Sequence, residues 1–308
     1  MNVPLSPILV LAALASPPPE AAPDRAPVES VAAAARAAES ASGAVIGVSA
    51  LLLESGHTAS HRGGETFQMA SVFKVPVAVA VLGAVEKGAL RLEEDVEIHE
   101  SDRRKIGPLD DEWKPGMRVT VGRMVDVMLV FSDNTAADKL IALLGGPHEV
   151  EKDLASRGVP EIRISLDEKG MGAAMRKDLA AFERGSENGA TPDGIRTVLT
   201  RLYRGELLSR ASTDRILGAM RRCATGDRRL RAGLPNGTEI ADKTGTAGSC
   251  ANDAGIVTLP DGTHLALVVF VRGGRDAAKR DAAIASVAKA AWGAFAKARQ
   301  EDAGRPVR

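Results

Sequence analysis

The chain has 308 residues, of which 44% are hydrophobic and 26% are charged. This composition is typical of a soluble globular protein and allows one large hydrophobic core or two adjoining ones. The 40 basic and 40 acidic side chains cancel, which argues against a general role on nucleic acid or on an anionic membrane surface.

The first 27 residues are predicted to be an export signal followed by a tether. Residues Pro7–Ala15 are apolar and end in Ala-Leu-Ala, a pattern typical of a signal-peptidase site. The preceding Met1–Ser6 carries no Lys or Arg, which is atypical of a signal. The apolar segment is too short to span a membrane, and the Pro-, Ala- and acid-rich residues 16–27 favour disorder. We therefore expect a periplasmic or secreted protein whose mature form has no membrane segment.

Strand patterns lie near both ends of the chain. An Ala-rich helix is predicted over Val28–Ser42, ended by Gly43, and a buried strand over Val45–Leu53. Further strands and a final amphipathic helix are predicted near the C-terminus: Glu239–Thr246, Ala254–Leu259, His264–Val271 and then Arg275–Lys297. The two ends of the chain are therefore expected to build one sheet.

The middle of the chain has helical periodicity. The predicted helices are Val75–Lys87, Val121–Phe131, Thr135–Leu144, His148–Arg157, Pro192–Tyr203 and Ala211–Arg221. The clearest start is at Thr191, which can cap a helix whose first position is Pro192. These patterns predict an α/β (α+β) fold with a discontinuous sheet domain, residues 28–66 and 222–300, and an all-helical domain, residues 67–221. The active site is expected between the two domains.

The first chemical feature is the sequence Ser71-Val-Phe-Lys74. Residues three apart share a face of a helix, so the Ser71 hydroxyl is expected beside the Lys74 amine, a nucleophile next to a possible base. Pro76 is tolerated only near the start of a helix. Ser71 is therefore predicted at a helix N-terminus, where a free backbone N–H can meet a substrate oxygen. Because S-x-x-K is common by chance, its meaning depends on partners elsewhere.

Two triplets further along the chain are candidate partners. Ser132–Asn134 is a short connection between two predicted helices and offers a hydroxyl and an amide. Lys243–Gly245 lies on a predicted strand, where Lys243 and Gly245 point to the same face. Because Gly245 has no side chain, the backbone there is approachable, and the Thr246 N–H can meet a substrate carbonyl. Taken alone, each triplet also fits an ordinary helix cap or strand end.

Together and in this order, S-x-x-K, S-D-N and K-T-G make the chain similar to class A serine β-lactamases. The resemblance runs from about Gly43 to Phe295 and includes the Gln68–Ala70 lead-in and the Thr225–Asp227 turn. It implies the two-part fold of serine β-lactamases and D,D-peptidases, an antiparallel sheet flanked by helices plus a helical domain. It also implies hydrolysis of the β-lactam amide of penicillins and cephalosporins, and hence antibiotic resistance. We expect a monomer whose partner is this small-molecule substrate.

The resemblance implies catalytic roles for the first two motifs. Ser71 would attack the lactam carbonyl, and Lys74 would take or relay its proton. Ser132 would pass a proton to the departing lactam nitrogen. The backbone N–H groups of Ser71 and Thr246 would form the oxyanion hole.

The resemblance also implies a set of substrate-binding residues. Asn134 would hold the acylamido side chain of the substrate. Lys243, Thr244 and Arg229 would bind the substrate carboxylate, and Arg229 would be drawn from an otherwise solvated basic cluster. The backbone positions Gly245 and Thr246 would complete the binding strand.

The deacylating residue implied by the resemblance is Glu168, which lies 36 residues after Ser132. The family places there the glutamate that activates the hydrolytic water. The usual local pattern is E-x-x-L-N, whereas this chain has Gly172 in place of the asparagine. Several extra residues also lie between Glu168 and Lys243, as expected for a divergent subgroup.

Metal and thiol chemistry have little support in the sequence. The five histidines are scattered without H-x-H or H-E-x-x-H spacing, which argues against a zinc hydrolase. The lysines and a carboxylate cover every proton transfer, so no metal or cofactor is implied. Export would permit a disulfide between Cys223 and Cys250, but their spacing does not show whether they meet.

Two other functions use the same motifs. A D,D-peptidase or penicillin-binding protein shares the Ser/Lys machinery but lacks a deacylating glutamate, so Glu168 and the aspartate of the S-D-N triplet favour the β-lactamase. A β-lactam sensor would acylate and stay acylated, and such domains generally adjoin a membrane segment.

Overall fold

The computed structural model describes residues 25–159 and 161–303. The predicted signal segment Pro7–Ala15 and most of the predicted tether lie outside these residues. Where the tether prediction overlaps the described chain, Arg25 already begins a helix, three residues before the expected start at Val28.

Eight of the twelve described helices correspond to predicted ones, seven of them to within three residues. The last helix extends six residues beyond its predicted end at Lys297, and four other helices were not individually predicted. In chain order they are α1 Arg25–Ser42, α2 Lys74–Glu86, α3 Pro108–Asp111, α4 Val121–Val130, α5 Asn134–Leu143, α6 Pro147–Ser156, α7 Glu168–Lys177, α8 Leu179–Glu183, α9 Pro192–Tyr203, α10 Arg210–Arg221, α11 Leu230–Gly233 and α12 Ala277–Ala303. As expected from its side chain, Thr191 caps α9 by accepting from the Gly194 N–H at 2.9 Å. Within the described ranges, no helix combines the length and apolarity that a membrane crossing requires.

Strands from both ends of the chain form one antiparallel sheet. The strands are β1 Ala44–Leu52, β2 Thr58–His61, β3 Phe67–Gln68, β4 Asp95–Glu97, β5 Arg118–Thr120, β6 Gly189–Ala190, β7 Ile240–Ala247, β8 Cys250–Thr258 and β9 His264–Gly273. Over the described residues, five of them pair in the order β2-β1-β9-β8-β7. Because β1 pairs with β9 along its whole length, from Ala44 opposite Gly273 to Leu52 opposite Leu265, the two ends of the chain close one unit.

The sheet is buried on both faces, and alternate residues of β9 show how. Leu265, Leu267 and Val269 pack into a core shared with α1, α11 and α12, whereas Val268 and Phe270 pack into the larger core with the helices of the middle region. Side chains of a strand alternate between faces, so one apolar strand serves both cores. Each such Leu, Val or Phe contributes about 1.5–3 kcal/mol on burial.

The middle region also contains short strands, although it was predicted to be all-helical. β4 pairs with β5, and β3 pairs with β6. The second pair matters for the site, because β3 leads directly into the Ser71 turn while β6 ends the segment that carries α7 and α8. Phe67 lies opposite Ala190 and Gln68 opposite Gly189, so this strand pair joins the two segments.

Both cysteines are free and buried, and they lie in different places. The Cys223 thiol contacts Thr225, 3.4 Å from its hydroxyl, whereas Cys250 begins β8 beside the Glu183 carbonyl. The disulfide that export would permit is therefore not formed in this structure.

Candidate active site

Ser71 lies in a tight turn that leads directly into α2. Residues Ala70–Phe73 form a 3-10 helix, and α2 begins at Lys74, so the predicted helix start is preceded by one tighter turn. The turn is strained, since Ala70 has φ +45°. It is held by Asn252, whose side-chain amide donates to the carbonyls of Gln68 at 2.7 Å and Met69 at 3.0 Å.

Strand β7 passes very close to this turn at Gly245. A Cβ atom at that position would lie 2.5 Å from the Met69 carbonyl oxygen and 3.1 Å from the Ser71 nitrogen. Only glycine permits this approach. The strand therefore runs beside the Ser71 N–H, as an oxyanion hole shared between Ser71 and Thr246 requires; the hole itself stays a prediction.

Lys74 lies at the centre of the site, where its side chain contacts several candidate catalytic residues, and it is 0% exposed. Its Nζ lies 3.1 Å from Ser71 Oγ and 3.2 Å from Ser132 Oγ. It also lies 2.6 Å from Asn134 Oδ1 and 2.9 Å from Glu168 Oε1. Two motifs, S-x-x-K and S-D-N, and the candidate general base therefore meet at one ammonium group, although they are far apart in the sequence.

The S-D-N connection between α4 and α5 presents Ser132 to two lysines. Ser132 adopts φ +60°, which is unusual for a residue other than glycine, and its Oγ accepts from Lys74 and from Lys243 Nζ at 3.0 Å. The buried Asp133 holds the connection in place by accepting from the Ala136 N–H at 2.8 Å and the Leu109 N–H at 2.7 Å. Burial raises the pKa of the Asp133 carboxyl.

Lys243 is the second buried cation of the site. Burial first, and the neighbouring charge of Lys74 second, lower its pKa to about 8. Its Nζ donates to the Thr244 carbonyl at 2.8 Å as well as to Ser132. The K-T-G strand thus supplies a cation that loses its proton more readily than an ordinary lysine.

Arg229 reaches the site through Thr246. Its guanidinium donates to Thr246 Oγ1 at 2.6 Å and to the carbonyls of Gly245 and Asn252, both at 2.9 Å. Its Nε also pairs with Asp281 of α12 at 2.8 Å. Arg229 is only 7% exposed, so the structure separates it from the solvated arginines around it. Its direct contact with a substrate carboxylate stays a prediction.

Glu168 is the first residue of α7, and two carboxylates hold this helix start. Asp167 caps it by accepting from the Gly170 N–H at 2.7 Å, and Asp138 of α5 accepts from the Glu168 N–H at 2.6 Å. The Glu168 side chain is 13% exposed and pairs with Lys74. Gly172 lies one turn further along α7, so the position where the family has an asparagine offers no side chain.

Asn188 anchors the base of the segment that carries Glu168, and the sequence analysis missed it. Its Oδ1 accepts from the N–H groups of Ser165 at 3.1 Å and Leu166 at 2.9 Å, and its Nδ2 donates to the Leu166 carbonyl at 2.8 Å. Its own carbonyl accepts from the Met69 N–H. One buried asparagine therefore connects residues 165–166, which precede Glu168, to the turn that carries Ser71.

Asp138 was also missed, although the sequence contains a signal for it. It lies four residues after Asn134 on α5 and therefore shares a helix face with it. Asn188 has no such signal, because nothing local in the sequence relates it to Leu166.

The far rim of the site is formed by α8 and the turn between β7 and β8. Glu183 Oε1 accepts from the Ser249 N–H at 2.7 Å, and Gly248 in this turn has φ +57°. A Cβ atom on Gly248 would lie 2.7 Å from Glu183 Oε1 and 2.9 Å from Leu179 Cδ1. In the described ranges, no group of three or more His, Cys, Asp or Glu is arranged to hold a metal ion.

Comparison with known proteins gives a consistent family. A family model described as the β-lactamase enzyme family matches residues 29–295. The β-lactamase VEB-1 of Pseudomonas aeruginosa is 33% identical over 237 residues, which are 73% of this chain and 77% of that protein.

Solved structures agree with the family model. A β-lactamase from Chitinophaga pinensis has a TM-score of 0.78 at 34% identity, covering 87% of this chain and 97% of that one. PBP-A, solved as an acyl-enzyme complex with penicillin G, has a TM-score of 0.79 at 27% identity, covering 90% of this chain and 100% of that one. The fold is therefore shared by β-lactamases and by a protein named as a penicillin-binding protein.

Proposed function

Because the chain belongs to the β-lactamase enzyme family and is a class A serine β-lactamase, we propose that it hydrolyses penicillins and cephalosporins through an acyl-enzyme on Ser71. The observation that carries this proposal is the position of Lys74 Nζ. It lies within 3.2 Å of the nucleophile Ser71, of Ser132 and of Glu168. Acylation and deacylation can therefore use one connected set of proton carriers.

In acylation, Ser71 Oγ forms a bond to the lactam carbonyl carbon while its proton passes to the Lys74–Glu168 pair. The backbone N–H groups of Ser71 and Thr246 stabilise the oxyanion, each by about 3 kcal/mol. When the C–N bond breaks, Ser132 gives its proton to the nitrogen. Lys74 or Lys243 then returns a proton to Ser132 across the 3.2 Å and 3.0 Å contacts.

In deacylation, Glu168 takes a proton from a water molecule, whose oxygen bonds to the acyl carbon. The bond from that carbon to Ser71 Oγ breaks, and the proton held by Glu168 returns to Ser71 through Lys74, which lies 2.9 Å from Glu168 Oε1 and 3.1 Å from Ser71 Oγ. In the same proposal, Asn134 binds the acylamido group, while Lys243, Thr244 and Arg229 with Thr246 bind the carboxylate.

The competing function is that of a D,D-peptidase or penicillin-binding protein, because PBP-A shares this fold. The ion pair between Glu168 and Lys74 favours the β-lactamase, because it puts a carboxylate where the acyl-enzyme can be hydrolysed. Measured side by side, nitrocefin turnover and cleavage of a D-Ala-D-Ala peptide separate the two functions.

Two substitutions test the proposed chemistry. Ser71→Ala removes the nucleophile and is expected to abolish both turnover and acyl-enzyme formation. Glu168→Gln keeps the shape of the side chain but removes the base, and is expected to slow deacylation by about 10³-fold. Intact mass spectrometry would then show a persistent acyl adduct. Full turnover by Ser71→Ala, or an unchanged adduct lifetime in Glu168→Gln, would contradict the proposal.

The proposal extends to where the protein works. The apolar segment Pro7–Ala15 and its Ala-Leu-Ala end support export to the periplasm or the medium. The proposal takes the exported protein to be a monomer. Fractionation of cells that express the full chain, with size-exclusion chromatography of the product, tests both points. An activity confined to the cytoplasm would contradict export.

A further inference from the structure

The backbone of Glu168 is held from outside its own helix. The first N–H groups of a helix have no partner within it, and Asp138 Oδ1 accepts from the Glu168 N–H at 2.6 Å. Asp138 Oδ2 also lies 3.4 Å from the Lys169 nitrogen. Since α7 begins at Glu168, the Asp138 carboxylate fixes the backbone position from which the side chain of the general base extends.

Asp138 is a buried carboxylate that needs a cation. Its side chain is 6% exposed, and burial, followed by repulsion from Asp167, raises its pKa to about 6. The charged groups that face it are Arg104 from the loop before α3, and Asp167 from the segment before α7. The positive partner is Arg104, whose Nε donates to Asp138 Oδ2 at 2.6 Å.

Arg104 is itself fixed in a conformation directed at Asp138. Its Nη1 donates to the carbonyls of Ser101 at 2.9 Å and Arg103 at 2.8 Å. Its backbone N–H donates to Thr135 Oγ1 at 2.9 Å. The guanidinium is therefore held on both sides and is not a freely moving surface group.

The loop that carries Arg104 also holds the substrate-binding amide. The carbonyl of Lys105 accepts from Asn134 Nδ2 at 3.0 Å, and the carbonyl of Ile106 accepts from the Asn134 N–H at 3.0 Å. Ile106 is 66% exposed and has φ +81°, which is strained for a β-branched residue. Adjacent residues of one loop thus contact both parts of the site: Lys105 contacts Asn134, and Arg104 contacts Asp138, which holds Glu168.

We propose that Arg104 is a positioning residue for deacylation, which acts on Glu168 through the Asp138 carboxylate. Arg104 keeps Asp138 ionised, and an ionised carboxylate is the stronger acceptor for the Glu168 N–H. Without Arg104, Asp138 takes up a proton more readily and the start of α7 is released. Acylation depends less on this link, because Lys74 lies within reach of the Ser71 proton and is also held by the Ser132 carbonyl. The inference rests on the proposed β-lactamase function.

The test compares two adjacent arginines in the full chain. Arg104→Gln removes the cation that faces Asp138, whereas Arg103→Gln is the matched control, since Arg103 pairs with Asp110 and stacks on Trp113. Acylation and deacylation rate constants are measured separately by stopped flow and by intact mass after mixing with a penicillin. Arg104→Gln is expected to slow deacylation about tenfold, since a misplaced general base loses part of its effect. Acylation should stay within about twofold of wild type, as should both steps in Arg103→Gln.

Two further measurements separate positioning from a loss of folding. Arg104→Lys keeps a positive charge and is expected to recover part of the deacylation rate. The acid limb of the deacylation profile should move to higher pH in Arg104→Gln, because Asp138 loses its cation. Equal losses in acylation and deacylation, an unchanged deacylation rate, or an unmoved acid limb would overturn the inference. A wild-type chain without any turnover would contradict the proposed function and the inference with it.

Discussion

The acylating and deacylating halves of the site are held in different ways. Lys74 and Lys243 are 0% exposed and lie on α2 and β7. The apolar side chains of α2 pack into the larger core, and those of β7 pack into both cores. Glu168 instead begins a helix held by individual side chains, Asp138 at its start and Asn188 at the base of its segment. Local changes cost least where few buried contacts hold a segment. Acylation should therefore be robust to distant substitutions, and deacylation should be sensitive to them.

Among substitutions that leave the reacting side chains in place, the largest effect on the acylating half is expected from Gly245→Ala. The new Cβ would lie 2.5 Å from the Met69 carbonyl oxygen, so β7 must move away from the Ser71 turn. A displacement of about 1 Å at a reacting centre costs on the order of 100-fold in rate, and the acylation rate constant measured by stopped flow should fall by that amount.

Gly64→Ala is the control for Gly245→Ala, because a Cβ on Gly64 meets nothing within 4 Å. Its acylation should match that of the wild type. Wild-type acylation in Gly245→Ala would show that the strand and the turn are less tightly coupled than the contact implies.

The deacylating half is tested by Asn188→Ala. The change leaves the partly buried N–H groups of Ser165 and Leu166 without their acceptor, which should cost about 2 kcal/mol in the free energy of unfolding. Deacylation should slow about tenfold, because the segment before Glu168 is held less firmly and the general base is less well positioned. The change in acylation should be smaller. Urea unfolding and the lifetime of the acyl adduct measure the two effects.

The exposed Asn236 provides the matched control for this prediction, and Asn236→Ala should alter neither stability nor lifetime. If Asn188→Ala slowed both steps equally, the two halves of the site would not be independent.

A smaller effect is expected from pH, through Lys243. Its pKa of about 8 means that the folded protein holds this proton below pH 8 and loses it above. Because Lys243 binds the substrate carboxylate in the proposed mechanism, kcat/KM should decline on the alkaline side, by about fourfold at pH 8.5.

Lys243→Arg keeps its charge at any accessible pH and should move this alkaline limb upward, whatever its absolute activity. If kcat/KM declined at the same alkaline pH in the wild type and in Lys243→Arg, the titrating group would be a different residue.

Lys243 also lowers stability at neutral pH. A lysine whose pKa is lower in the folded chain than in the unfolded chain binds its proton more weakly when folded. The associated penalty is present below about pH 8 and disappears as the pH rises through the ordinary lysine range. The buried cation is thus kept for its chemistry and not for stability.

The sequence by itself determined the longer helices, the longer strands of the main sheet and the nucleophile. The period of α9, its Thr191 cap and the apolar pattern of β9 are local features, and the structure reproduces them. The motifs around Ser71, Ser132 and Lys243 could be joined because each has a recognisable spacing or triplet. Local spacing also placed Lys74 beside Ser71, since residues three apart on a helical turn face each other.

Only the tertiary structure decided what holds the general base and where Arg229 points. Asp138 meets the Glu168 N–H across 30 residues, and Arg229 meets Asp281 across 52. Asn188 reaches back 22 residues to Leu166. The spacing of Asp138 from Asn134 shows only that the two share a helix face, and no period or motif names the distant partner in any of these contacts, because the partner depends on how helices and loops pack. The sequence therefore identifies the groups that react, whereas packing determines how firmly each one is held.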